Sequence, residues 1–220
     1  VYFIQPDGYP SFQELKRGYY QLDPSMMESF LAEEGFTTYT DFRANYASTL
    51  TTNSAVFVMK HHYYHYDLNF SESMQARNVI MGNSPVLQLF KNNGYSTHFI
   101  SEKPYLLANH PTIGFDSHNF ENEPNLIDSE LRRHKDAIAA FDQLLEEQQG
   151  PTFAFLELFS PAHITVTKAK AQGAAKEKKL WLERLDKANF QLRQLVHKIN
   201  EKDPTAIVIF MADHGGNVGM

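Results

Sequence analysis

Cysteine is absent from all 220 residues, which excludes disulfides, thiolate metal centres and cysteine nucleophiles. The absence does not fix a compartment, because many extracytoplasmic proteins also lack disulfides. Long apolar runs are missing as well: none approaches the ~20 residues of a membrane span, and the chain opens without a signal-peptide pattern. Positive charge is outnumbered, with 20 Lys and Arg against 26 Asp and Glu and a formal net charge of −6. No basic cluster with interleaved aromatics occurs, so nucleic acid is not the expected partner. Internal repeats and low-complexity linkers are also lacking, and one domain over 1–220 is the economical expectation. With 42% apolar and 21% charged residues, including 17 Phe and 11 Tyr, the composition is globular and sufficient for one large α/β core. Val1 is not an initiator methionine and opens mid-strand, and Met220 follows closely on a metal-like motif. Both ends therefore read as cut from a longer chain.

That motif is Asp213-His214-Gly215. It follows Thr205-Ala206-Ile207-Val208-Ile209-Phe210-Met211, an unbroken apolar run after the breaker Asp203-Pro204. Such a run predicts a central parallel strand covered on both faces. Its carboxyl end is where open α/β sheets place their ligand crevice. A hard carboxylate beside an imidazole suits Zn²⁺ or Mn²⁺, although an isolated Asp-His pair at a strand end is also an ordinary polar turn. The chain begins with the same shape: the strand Val1-Tyr2-Phe3-Ile4-Gln5, then the turn Pro6-Asp7-Gly8-Tyr9. If the first and last strands are neighbours, Asp7 and Asp213 face one crevice.

Between the ends, helices and strands alternate as βα units. A helix near 24–34 is bracketed by Asp23-Pro24 and Gly35, with a short strand expected over Phe36–Tyr39. A helix near 84–93 stops at Gly94 and a strand follows over 96–100. A helix near 128–147 precedes a buried strand over 152–158, and a long helix is expected near 174–201. The stretch Lys168–Lys179 reads as a solvated helix start or loop.

Arg43 to Asn53 is a polar, hydroxyl-rich loop leading into an apolar helix over Ser54–Met59. A hydroxyl at a helix N-terminus lies in a field that favours anions, and one that also ligates a metal becomes a usable nucleophile. Ser or Thr before a helix is equally an ordinary cap. The segment His61-His62-Tyr63-Tyr64-His65-Tyr66-Asp67 places His61 and His65 four apart, but without the general-base glutamate of a zinc-protease helix. It is expected beyond the far end of that helix, away from the crevice, as an aromatic helix end or a groove wall. His110, His118 and His134 carry no supporting spacing and are expected to be structural.

Taken in order, several pieces resemble the alkaline phosphatase superfamily in its sulfatase-like branch. They are Pro6-Asp7-Gly8-Tyr9, Phe30-Leu31…Gly35-Phe36, Asn45-Tyr46…Thr49-Leu50-Thr51-Thr52, Leu89 to Thr97, Ser160-Pro161-Ala162-His163 and Asp213-His214-Gly215. The resemblance implies a three-layer α/β/α sandwich with a mostly parallel sheet and a metal site at the strands' carboxyl edges. It implies Thr49 as nucleophile, with Ser48, Thr51 and Thr52 as competitors if the loop slips. It further implies one divalent metal, Zn or Mn, on Asp7, Thr49, Asp213 and His214, and substrate phosphate against His163. Lys103, in Ser101-Glu102-Lys103-Pro104, is a second candidate phosphate contact, or else an exposed turn lysine.

The departures from the family narrow the activity. Formylglycine sulfatases need a cysteine or serine within a Pro- and Arg-bearing motif. Here there is no cysteine, Thr51 replaces the proline and Asn53 the arginine. Two-metal phosphodiesterases carry an aspartate four residues before the middle-strand histidine, where this chain has Phe159. The implied activity is metal-dependent phosphoryl transfer or hydrolysis on a phosphate ester. The implied substrate is phospholipid-derived, the setting extracytoplasmic, and any membrane association lies in segments outside this chain. Two rivals remain open: a water-using phosphodiesterase or phosphatase, and a non-catalytic binding domain that keeps the fold.

Overall fold

The computed structural model describes residues 1–17, 19–66, 69–121, 134–164 and 172–216. Five strands form one sheet: β1 (Tyr2–Pro6), β2 (Ser96–Ser101), β3 (Ser117–His118), β4 (Thr152–Leu158) and β5 (Val208–Phe210). Their order is β3-β2-β4-β1-β5, and every pairing is parallel. Around it lie α1 (Phe12–Lys16), α2 (Ser25–Glu33), α3 (Thr49–Phe57), α4 (Phe70–Met81), α5 (Pro85–Asn92), α6 (Ala137–Glu147) and α7 (Ala174–Lys202).

Side-chain alternation along the strands feeds two cores. Phe3, Phe99, Phe153 and Phe155 pack with Leu50 and Phe57 of α3, Ile80 of α4 and Leu87 of α5. Tyr2, Ile4, Ile100, Leu156 and Leu158 pack on the other side with Met27 and Leu31 of α2, Phe141 of α6, and Leu192, Leu195 and Ile199 of α7. This is the three-layer α/β/α arrangement that the family resemblance implies. β4 is buried along its whole length, as a strand with two covered faces and two paired neighbours must be. The first and last strands are neighbours, with Tyr2 opposite Val208 and Ile4 opposite Phe210.

Four expectations are corrected. Phe36–Tyr39 is not a strand: the Phe36 amide closes α2 by donating to the Leu31 carbonyl, and the ring stacks on Phe210 at 5.0 Å. The run 205–211 is not a covered central strand. Among the described residues only Val208–Phe210 pairs, at the edge of their sheet, leaving Ile207 63% and Ile209 44% exposed. Third, the helix expected from Ser54 begins five residues earlier, at Thr49. Three of its polar residues are accommodated by internal partners: Thr51 Oγ1 donates to the Ser48 carbonyl, Thr52 Oγ1 to the Tyr46 carbonyl, and Asn53 pairs with Gln5. Such local bonds offset the weak helix propensity of Thr and Asn.

Fourth, the His61–Tyr66 segment does not lead away from the crevice. It doubles back along α3, held where Asn45 Nδ2 donates to the His61 carbonyl. There the Tyr46 hydroxyl also donates to the Tyr64 carbonyl and accepts from the Tyr64 amide, both at 2.7 Å. Tyr46, Ser48, Thr51, His62, Tyr64 and His65 consequently line one cleft of about 660 Å³. Asp67, residues 128–133 of the expected helix 128–147, and residues 168–171 of the Lys-rich stretch lie outside the described residues; the rest of that stretch opens α7.

Candidate active site

Above the carboxyl ends of β1, β4 and β5 the turns after the three strands converge on the N-terminus of α3. The turn after β1 needs Gly8, whose φ of +67° disfavours a side chain and where a Cβ would meet the Ala162 backbone at 3.4 Å. Its amide donates to Asp213 Oδ1 at 3.0 Å, and the His214 amide donates to the same oxygen at 2.9 Å. The Asp7 carbonyl accepts from the Ala162 amide at 2.8 Å. Each turn therefore braces another, and Asp7, Asp213 and His214 are all buried.

At the centre stands His214 Nε2. Asp213 Oδ2 lies 3.2 Å from it, Thr49 Oγ1 3.4 Å and Asp7 Oδ1 3.5 Å. His214 Nδ1 lies 2.8 Å from the Gly215 carbonyl, which can only accept, so the ring hydrogen sits on Nδ1 and the Nε2 lone pair faces the three oxygens. Asp7 Oδ1 and Asp213 Oδ2 are buried without a hydrogen-bond partner. A proton on Nε2 would serve one of these oxygens; a cation at their centre serves all. Four ligand atoms each ~2.1 Å from a zinc-type ion stand roughly 3.4 Å apart at tetrahedral angles. The three separations from His214 Nε2 match that spacing, as they would if the four side chains shared one divalent ion.

His163 is brought to the same place. Its ring stacks on His214 at 4.8 Å and 6°, its Nδ1 has no partner, and Asp7, His163 and His214 offer ligand atoms all within 4.8 Å of one another. Burial, and then the neighbouring His214, lower the His163 pKa and favour the neutral ring. Arg184 of α7 holds the His163 carbonyl at 2.8 Å. Lys103 is half-buried with its ammonium 5.0 Å from the Phe159 ring centre. Burial, followed by the Arg184 charge, pulls its pKa down, against the pull of Glu102 and Asp7. Phe159, in the place of a second-metal aspartate, is apolar packing under that lysine.

Burial, and then the charge of Asp213, push the Asp7 carboxyl up to about 7, while His214 and Lys103 oppose the shift. Two buried carboxylates each keep one oxygen without a hydrogen-bond partner here, a crowding that a cation would relieve.

Of the four hydroxyls in the Ser48–Thr52 loop, Thr49 is the one directed at His214. Thr51 and Thr52 are committed to backbone carbonyls, and Ser48, the N-cap residue, makes no side-chain cap bond. Thr49 is the first residue of α3, at its positive end.

Sequence reasoning missed three buried polar residues beneath the site. Glu102 accepts from the Phe159 amide at 2.6 Å, from Gln191 at 2.7 Å and from Lys187 at 3.2 Å, tying β2, β4 and α7 together. Glu157 is fully buried in β4, where burial and then Asp7 and Asp213 raise its pKa well above the usual carboxylate range. Gln5 pairs with Asn53. For Gln5 and Glu157 the available signal was a polar residue inside an apolar strand, since a buried polar group is more informative than a buried apolar one.

The sulfatase family model matches residues 16–220, and the chain belongs to the sulfatase family, in the sulfatase-like branch of the alkaline phosphatase superfamily. No curated protein sequence matches it. Two solved structures share the fold. The C-terminal periplasmic domain of phosphoethanolamine transferase EptC from Campylobacter jejuni is 10% identical with a TM-score of 0.55, over 99% of this chain and 69% of that one. The soluble domain of lipooligosaccharide phosphoethanolamine transferase A from Neisseria meningitidis is 14% identical with a TM-score of 0.54, over 97% of this chain and 66% of that one.

Proposed function

We propose that these 220 residues act as one catalytic domain, a metal-dependent phosphotransferase that moves a phosphoryl-bearing group between alcohols through Thr49. The observation that carries this reading is the shell of Thr49, Asp7 and Asp213 oxygens around His214 Nε2 at 3.2 to 3.5 Å, with two orphaned carboxylate oxygens. Asp7, Thr49, Asp213 and His214 would hold one divalent ion, zinc or manganese, which supplies Lewis acidity and neutralises phosphate charge. His163 is near enough to join that shell, and its assigned task is the substrate.

The remaining chemistry belongs to the chain. The Thr49 oxygen attacks phosphorus in line, the bond to the first alcohol breaks, and a phosphothreonine ester remains. A second alcohol, or water, then attacks the same phosphorus and frees Thr49. His163 hydrogen-bonds a non-bridging oxygen, or takes up the proton that Thr49 releases and passes it to the departing alcohol. Lys103 neutralises phosphate charge from the side of β2. Positioning and electrostatics dominate such transfers, which is what a braced, buried site provides. Phe159 offers no second-metal ligand, which supports a one-metal mechanism.

Both similar structures are of phosphoethanolamine transferases, one of them a periplasmic domain. A phospholipid-derived donor and an extracytoplasmic setting follow for this chain as part of the proposal. Among the described residues no helix is long and apolar enough to cross a membrane. The test is turnover of a chromogenic phosphodiester with added Mn²⁺ or Zn²⁺. Thr49→Ala is expected to reduce it by about three orders of magnitude or more, as loss of a catalytic member does, with folding intact. Undiminished turnover in Thr49→Ala would point to water as the attacking group.

A further inference from the structure

Gln5 and Asn53 form a closed pair: Gln5 Nε2 donates to Asn53 Oδ1 and Asn53 Nδ2 donates to Gln5 Oε1, both at 2.8 Å. Both residues have no exposed surface. Neither belongs to the shell around His214. Gln5 is two residues before Asp7 on β1, and Asn53 is four residues, about one turn, after Thr49 on α3. Two strand residues advance the chain roughly 6.6 Å, and four helical residues about 6 Å. β1 runs toward the site and α3 runs away from it. The amide pair at one level therefore fixes the height at which Thr49 faces Asp7 at the next.

Resting on the proposed role of Thr49, we infer that the Gln5–Asn53 pair is a positioning lock that sets the register of the nucleophile helix against β1. Three features separate this from ordinary core packing. Two amides joined by two bonds accept only one separation, whereas an apolar contact tolerates sliding. The cap residue Ser48 gives α3 no side-chain anchor at its N-terminus, so the helix start needs another fixed point. The neighbouring buried polar groups of α3, Thr51 and Thr52, bond only to the loop 46–48 just before the helix, and leave its height over the sheet free. Displacing a reacting atom by 1 Å costs on the order of 100-fold in rate, so the lock acts on turnover without touching substrate.

The test exploits the pair's symmetry. Gln5→Asn shortens one arm by a methylene and Asn53→Gln lengthens the other, so each single variant breaks the register and the double variant restores the summed length. The expected result at saturating Mn²⁺ is a kcat loss of about 10- to 100-fold in each single variant, with KM near wild type, weaker Mn²⁺ binding because Asp7 and Thr49 are both proposed ligands, and recovery of most of kcat in the double. Phe57→Leu, at the far end of α3, is the control: it lowers Tm and leaves kcat in place. A double variant no faster than the slower single, or kcat falling in step with Tm across all variants including the control, would overturn the lock. If wild type turns over no phosphodiester, the threonine reading fails by itself, and hydrogen exchange of the first-turn amides of α3 decides the lock. Faster exchange in both singles with protection regained in the double supports it; unchanged protection in the singles refutes it.

Discussion

Replacing Asp7 by asparagine should make the metal-free protein more stable while weakening its hold on metal. Asp7 is buried beside Asp213, and its carboxyl is raised from 3.8 to about 7. Between those values the folded state keeps a proton that the unfolded state releases, so the Asp7 contribution to metal-free stability falls as pH rises from about 4 to about 7 and is level above. About three pH units at ~1.4 kcal/mol each set a ceiling of about 4 kcal/mol on this loss. Asparagine carries no charge in either state and removes that share of the slope. In urea unfolding with EDTA at pH 8, Asp7→Asn should exceed wild type by an amount up to that ceiling, and the difference should vanish near pH 4. With Mn²⁺ or Zn²⁺ at more than a thousandfold excess over Kd the order should reverse, because binding to the folded state then adds more than about 4.1 kcal/mol. An Asp7→Asn protein less stable than wild type at pH 8 in EDTA, with an unchanged pH slope, would refute the reasoning.

Asp213→Asn or His214→Ala should abolish most divalent-metal binding by titration calorimetry, and wild-type affinity should fall as pH drops below about 7, where Asp7 gains its proton. Stoichiometric metal in both variants would move the site elsewhere. Phe155→Ala should cost about 3–5 kcal/mol of stability, because that fully buried ring meets Phe3, Phe57 and Phe99; a loss below about 1 kcal/mol would contradict the packing described.

Much of this molecule was legible in its residues, for identifiable reasons. Breakers and apolar runs marked β1, β2 and β4, because strands buried on both faces carry a dense signal. Asp7 and Asp213 could be paired from sequence alone, since parallel strands deliver their turns to the same edge of the sheet. The run 205–211 misled because its apolarity says that it is covered somewhere and not by what; in this chain Ile207 and Ile209 face outward. Phe36–Tyr39 looked like a strand, yet the Phe36 amide serves the end of α2. The early start of α3 was hidden by Thr51, Thr52 and Asn53, poor helix formers whose partners include Gln5 and Tyr46, far from them in sequence or across the loop. The return of His61–Tyr66 depends likewise on the Tyr46–Tyr64 bonds, which no periodicity announces. His163 was assigned to substrate from its place in the family's order; its stacking on His214 is a tertiary contact.

The central claim is that Thr49 takes the phosphoryl-bearing group while Asp7, Asp213 and His214 hold the ion beside it. The most direct test is to trap the enzyme during turnover of a phosphodiester, digest it and map the modified residue by mass spectrometry. The account predicts a single phosphoryl adduct on Thr49, lost in Thr49→Ala and when metal is withheld. An adduct on Ser48, Thr51 or Thr52, or steady turnover with none on the loop, would contradict it.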